Sequence, residues 1–281
     1  MQVNVNRKVP APGAQPVVKW AGGKRQMLGQ YKEFFPARYN VYHEPFLGGG
    51  AVFFHLVPPV AFLSDSNAEL INMYRVIQTK VDQLIEDLSR HRYDSDYYYE
   101  IRSADVGTLS DVQRASRLIY LNKTCYNGLY RVNRKGEFNV PFGKYRRPKF
   151  LDVELLLAAN RVLQRAVLME SDFEIVLDNA RPGDFVYFDP PYFPLNRTAN
   201  FTDFTDQSFD ARDHERLARA FDQLARRGCL VMLSNSDTPF VRELYEQYRG
   251  GIIPLKANRS INSRGDKRGP VGELLVCSWI K

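Results

Sequence analysis

Cysteine is scarce in this chain: Cys125, Cys229 and Cys277 are the only three among 281 residues. An odd count without the paired spacing of a zinc site argues against both a disulfide framework and a cysteine-built metal centre. Cys229 and Cys277 read as apolar filler in strands, and Cys125 as a free thiol. Long hydrophobic runs are missing too. No stretch approaches the ~20 apolar residues that span a bilayer, and no signal-peptide core opens the chain, so a cytoplasmic protein without a membrane segment is expected. The glycine patterns of common nucleotide loops are also lacking. In Val17-Val18-Lys19-Trp20-Ala21-Gly22-Gly23-Lys24, Val18 stands where a Walker loop needs its first glycine, and Arg25 where it needs a magnesium-binding hydroxyl. Leu47-Gly48-Gly49-Gly50-Ala51 lacks the G-x-G-x-x-G spacing, which argues against a dinucleotide site and an NAD-dependent oxidoreductase. There is no internal repeat.

What is present is an ordinary globular composition with an uneven charge distribution. Between positions 123 and 149, eight basic residues face the single acid Glu137, which equals the whole formal excess of +7. Such a local patch is the footprint of a polyanionic partner. The patch coincides with a segment that reads as a β-hairpin. Leu129-Tyr130-Arg131-Val132-Asn133 and Phe138-Asn139-Val140-Pro141-Phe142 flank a turn containing Gly136, and aromatic residues interleave with the cations. A solvated charged ribbon would satisfy the pattern. A ribbon entering a DNA groove suits it better, with Arg able to pair bidentately with guanine.

Residues 1–16 read as a flexible tail. A strand over 40–46 runs into the glycine turn, and an apolar helix begins at Val52. A second strand, 60–63, leads to Asp65, which stands where ribose hydroxyls are bound in open α/β sheets. Ser66-Asn67-Ala68-Glu69 reads as a capping box for the following helix, leaving Asp65 for a ligand. Helical spacing of Leu70, Tyr74, Ile77, Val81, Leu84 and Leu88 follows, and Ser110 and Asp152 cap two later helices. Asp172 is either a helix cap or a ligand contact. Residues 193–209 form a polar loop long enough to close over a bound base. A helix over 211–227, a strand over 230–233, a helix capped by Thr238, and strands over 251–255 and 273–279 joined by a basic loop complete the chain. The last strand suits antiparallel pairing in an otherwise parallel sheet.

One stretch orders the rest. Phe185-Val186-Tyr187-Phe188 reads as a strand buried on both faces, and Asp189-Pro190-Pro191-Tyr192 ends it abruptly. The prolines hold their own φ and push the preceding residues towards extended geometry, making a stiff ledge. On it the Asp189 carboxylate and the Pro190 carbonyl are acceptors with few local donors, beside the flat ring of Tyr192. Accepting both hydrogens of an exocyclic amine would turn the nitrogen lone pair out of the ring plane. Taken alone, the ledge could equally be a polar turn at a sheet edge.

Taken together, Lys19-Trp20-Ala21-Gly22-Gly23-Lys24, Glu44-Pro45-Phe46-Leu47-Gly48-Gly49-Gly50-Ala51, Asp65, Asp189-Pro190-Pro191-Tyr192 and Ser234-Asn235-Ser236 resemble the Dam-type DNA adenine methyltransferases that read GATC. The resemblance runs from Lys19 to the final strand. It implies a Rossmann-like S-adenosylmethionine-dependent methyltransferase fold with a mixed sheet and an inserted helical target-recognition domain carrying the hairpin. Residues 17–66 and 166–281 would form the catalytic domain, and 67–165 the insertion. It implies S-adenosylmethionine as cofactor, S-adenosylhomocysteine as product, no metal, and methyl transfer to the 6-amino group of a flipped adenine in duplex DNA. By the resemblance, Trp20 and Lys24 line the methionine end, Phe46 and Gly48 the glycine turn, and Asp65 the ribose. Asp172 and Phe173 meet the cofactor's adenine; Asp189, Pro190 and Tyr192 serve the target base. Tyr126, Asn127, Leu129, Arg131 and Pro141 contact DNA. A monomer is expected, compatible with a restriction nuclease acting on the same site without a stable complex. The alternatives are methylation of an RNA adenine or a cytosine amine, and a non-catalytic DNA-binding protein on the same scaffold.

Overall fold

The computed structural model describes residues 13–194, 209–258 and 270–280. The expected tail lies largely outside these residues, as do most of the 193–209 loop and the basic loop before the last strand. Seven strands occur among them: β1 Tyr42–Glu44, β2 Ala61–Asp65, β3 Ala166–Glu170, β4 Phe185–Phe188, β5 Leu230–Ser236, β6 Ile252–Asn258 and β7 Pro270–Cys277. The chain divides into two compact units. Of the described residues, the first holds 13–25 and 47–172, and the second the remainder.

In the first unit β2 and β3 pair in parallel, with Asp65 opposite Glu170. The helix Ala68–Thr79 packs on Asp111–Thr124 and Val153–Leu163. Its buried stripe of Leu70, Tyr74 and Ile77 follows the helical period. Lys80 interrupts the pattern, so the expected long helix is two, Ala68–Thr79 and Val81–Ser89. Ser110 and Gln113 form a full capping box, and Asp152 caps its helix through the Leu155 amide. The expected box at Ser66 does not form. Asn67 is the cap instead, accepting from the Leu70 amide, because Glu69 is drawn to Arg114, whose Nε donates to Oε1 at 3.1 Å.

In the second unit the order is β1-β4-β5-β7-β6. β4 pairs in parallel with β1 and β5, whereas β7 runs antiparallel to both β5 and β6, as the sequence implied. β4 is buried along its whole length. Val186 and Phe188 enter one core with Leu217, Phe221 and Leu224 of the helix Ala211–Arg227. Phe185 and Tyr187 meet Tyr42 and Tyr31 respectively. A strand covered on both faces needs no polar alternation, which is why its sequence reads as a continuous apolar run. Gly228, at φ +93°, ends that helix in the left-handed conformation.

Candidate active site

Within the first unit, Gly48 is held by both of its backbone groups. Asp65 Oδ2 accepts the Gly48 amide at 2.9 Å, and Tyr74 donates its hydroxyl to the Gly48 carbonyl at 3.0 Å. Gly48 has φ +47°, and a Cβ there would lie 2.9 Å from Cδ1 of Trp20, so the indole rests directly on the turn. Asp65 is therefore not left without partners, because its Oδ1 also accepts the Asn67 amide at 2.9 Å. Burial raises the Asp65 carboxyl above the usual carboxylate range, and the two amides pull it back in part. Trp20 stacks on Tyr130 with ring centroids 4.6 Å apart. Lys24 is buried, and its Nζ donates to the Gly22 carbonyl at 2.7 Å.

The hairpin of this unit is real but irregular. Only two isolated antiparallel bridges join its sides among the described residues, Cys125 with Phe142 and Val132 with Phe138. The turn closes through the Gly136 amide to the Asn133 carbonyl at 2.9 Å. Tyr126 is 53% exposed, and Asn127, Arg131 and Pro141 are exposed beside it, with Leu129 half-buried. Arg131 is oriented by Asn139: its Nε donates to Asn139 Oδ1 at 2.6 Å and its Nη2 to the Asn139 carbonyl at 3.2 Å. Lys123, at the start of the patch, is lowered by burial and by the neighbouring cations Lys19, Arg25 and Lys149, despite Asp152.

In the second unit, β5 fastens the ledge at both ends. Ser234 donates its hydroxyl to Asp189 Oδ1 at 2.9 Å and lies 2.9 Å from the Tyr187 hydroxyl. Beyond the prolines, the Phe193 amide donates to Asn235 Oδ1 at 3.1 Å, and Ser236 Oγ donates to the Phe193 carbonyl at 2.6 Å. The donor to Asp189 thus comes from 45 positions further along the chain and not from its own neighbourhood. Tyr192 exposes part of its ring while its hydroxyl is buried. Phe46 stacks on Phe173 at 5.3 Å, and the Arg216 guanidinium covers Phe173 at 4.9 Å. Phe46 is half-buried and Phe173 fully buried, so Phe46 presents the more accessible ring. Asp172 is exposed, at the entry to the short helix Phe173–Ile175.

A family model described as D12 class N6 adenine-specific DNA methyltransferase matches residues 20–261. The chain belongs to that family. It is 42% identical over 273 residues to a Type II methyltransferase, M1.LlaDCHI, of Lactococcus lactis subsp. cremoris, covering 94% of this chain and 95% of that protein. It is likewise 42% identical over 288 residues to M.MjaIII of Methanocaldococcus jannaschii, covering 94% and 99% of the two chains. The DNA adenine methylase of Escherichia coli strain K12 is 36% identical over 264 residues, covering 92% and 93%. This D12 enzyme is therefore an adenine-specific DNA methyltransferase.

The structure of this methyltransferase brings Trp20, Gly48 and Asp65 together in one unit, with the hairpin residues on a ribbon of the same unit. It brings Asp189, Pro190 and Tyr192 together in the other, where Phe46 and Phe173 form a stacked pair. Residues that escaped the sequence reading include Asn139, which orients Arg131, and Tyr31 and Glu273, which hydrogen-bond to each other. Among the described residues no helix is long and apolar enough to cross a membrane.

Proposed function

We propose that this D12 methyltransferase uses S-adenosylmethionine to methylate the 6-amino group of adenine within GATC in duplex DNA, after the base has been rotated out of the helix. The observation that carries the reading is the doubly fastened ledge: Ser234 fixes Asp189 at one end, and Asn235 and Ser236 fix Phe193 at the other. A ledge that cannot shift keeps its acceptors aimed at one point, which is how alignment lowers a barrier.

The residues present fit the cofactor. Asp65 retains acceptor capacity for two hydroxyls beyond its two amide bonds. The accessible face of Phe46 suits a purine ring, and the buried Lys24 amine, which also donates to the Gly22 carbonyl, suits a carboxylate. When bound, S-adenosylmethionine supplies an electrophilic methyl group on sulfur. The chain supplies the rest. Asp189 and the Pro190 carbonyl accept the two amine hydrogens, leaving the nitrogen lone pair directed out of the base plane, while Tyr192 stacks on the base. Stacking and the two acceptors offset an unpairing cost of a few kcal/mol.

Recognition falls to the insertion, 67–165, with 17–66 and 166–281 as the catalytic domain. Arg131, already levelled by Asn139, reads a guanine edge, Leu129 and Pro141 make apolar base contacts, and Tyr126 wedges into the stack beside Asn127. Asp172 and Phe173 complete the cofactor site. The name Type II methyltransferase carried by two relatives supports a modification role beside a nuclease acting on the same site. The enzyme works as a monomer.

Plasmid carrying GATC, incubated with enzyme and cofactor, is expected to resist a nuclease blocked by adenine methylation there and to remain open to one indifferent to it. Cleavage by both nucleases contradicts the GATC assignment. A preference for RNA or for single strands contradicts the choice of duplex DNA.

A further inference from the structure

The side chain of Asn122 joins two parts of the first unit that the sequence keeps far apart. It lies near the end of the helix Asp111–Thr124, fully buried, 103 positions from Lys19. Its Oδ1 accepts the Lys19 amide at 2.8 Å, and its Nδ2 donates to the Lys19 carbonyl at 2.8 Å and to the Gly128 carbonyl at 3.1 Å. A backbone N–H can only donate and the two carbonyls can only accept, so these partners fix which way the Asn122 amide points. Trp20 follows Lys19 and rests on Gly48, while Gly128 leads into Leu129, Tyr130 and Arg131. The stack of Trp20 on Tyr130 at 4.6 Å is a second tie between the same two segments. Gly128, at φ +66°, completes the fit, since a Cβ there would lie 2.5 Å from Lys19 Cδ. The far arm of the hairpin is anchored at the same helix end, where the Gly143 amide donates to the Thr124 carbonyl at 2.8 Å.

We propose that Asn122 is a positioning residue that couples the cofactor turn to the recognition hairpin, so that occupancy of one site tightens binding at the other. The inference rests on the proposed reading of Trp20 as a cofactor contact and of Arg131 as a base reader. Asn122 acts through both segments. Its three hydrogen bonds and the Trp20–Tyr130 stack hold the chain at Lys19 and Trp20 against the chain at Gly128 and Tyr130. A cofactor that orders Trp20 therefore orders Tyr130 and, next to it, Arg131, and DNA arriving second meets a smaller ordering cost. The linkage is reciprocal: the duplex raises cofactor affinity by the same factor.

The test measures that factor on the full chain, by titrating a GATC duplex without and with saturating S-adenosylhomocysteine, which occupies the cofactor site without reacting. Wild type is expected to bind the duplex about 5- to 50-fold more tightly with S-adenosylhomocysteine present. In Asn122→Asp, which keeps the acceptor for the Lys19 amide and loses both donors, the factor should fall to within about twofold of unity. Tyr130→Ala should lower it as well, whereas Tyr130→Phe, which keeps the stacked ring, should retain it. A residue with a structural role alone would weaken both titrations equally and leave the factor unchanged, so an Asn122→Asp enzyme with the wild-type factor overturns the proposal. If Asn122→Asp does not fold, the half-buried Tyr130 decides: a factor lost in Tyr130→Ala and kept in Tyr130→Phe supports the proposal, and the wild-type factor in Tyr130→Ala overturns it. A wild type that binds duplex and S-adenosylhomocysteine independently overturns the proposal and leaves the methyltransferase reading intact. One that binds no S-adenosylhomocysteine defeats that reading itself.

Discussion

Ser234 reaches from β5 to Asp189, donating its hydroxyl to Oδ1 at 2.9 Å one position beyond the pairing of Phe188 with Leu233. The contact restrains the carboxylate from turning away from the ledge. A hydrogen bond to a charged group contributes ~1.5–3 kcal/mol. Ser234→Ala is therefore expected to lower kcat at least about tenfold with little change in DNA affinity. Steady-state kinetics beside a binding titration checks this, and an unchanged kcat contradicts it.

Asp65 holds both the glycine turn, through Gly48, and the start of the next helix, through Asn67. Asp65→Ala releases both amides and removes the acceptor proposed for the ribose. S-adenosylmethionine affinity measured by calorimetry should fall by more than about tenfold, the ~1.4 kcal/mol equivalent of one lost hydrogen bond. Affinity within twofold of wild type would remove Asp65 from the cofactor site.

Arg131 is pre-set by two bonds to Asn139, which spares it part of the ordering cost on meeting a base. Arg131→Ala should relax discrimination at one base pair by about 1–3 kcal/mol. Competition between duplexes differing at single positions measures this. A uniform loss across all duplexes would show a phosphate contact instead.

His214 lies buried among Phe209, Phe193 and Phe240, its Nδ1 3.4 Å from Asn235 Nδ2. Burial pushes its imidazole down to about 4, against Asp213 and Asp210, which act the other way. Because the folded value lies below the unfolded value of ~6.5, the unfolded chain binds more protons between the two. The stability this neutral imidazole allows is present above pH ~6.5 and is lost as pH falls towards ~4, by up to about 3 kcal/mol. His91, also lowered by burial, adds to the loss. Denaturant titrations from pH 7 to 4.5 should show the decline, and His214→Phe should flatten it. An equal slope in that variant contradicts the assignment.

The end of β4 before Pro190 and Pro191 and the caps at Ser110, Asp152 and Thr238 were legible because each is set by neighbours within a few residues. The Gly48 partner of Asp65 and the failed capping box were not legible for the opposite reason: Gly48 lies 17 positions from Asp65, and Arg114, the competitor for Glu69, lies 45 away. The meeting of Tyr31 with Glu273 spans 242 positions and depends on the register of β7, which no local pattern states. Alternating residues gave the hairpin as two strands. Its sides instead pair at isolated bridges, with the left-handed Asn127 at its base and side-chain bonds such as Arg131 to Asn139 taking part of the ladder's role.

The account stands on Asp189 and its ledge presenting an adenine amine for methylation. Its most direct test is mass spectrometry of nucleosides from GATC duplex incubated with S-adenosylmethionine and either wild type or Asp189→Ala. Wild type should yield N6-methyladenine, and the variant none, while still binding the duplex within about tenfold of wild-type affinity. Undiminished N6-methyladenine from the variant would contradict it.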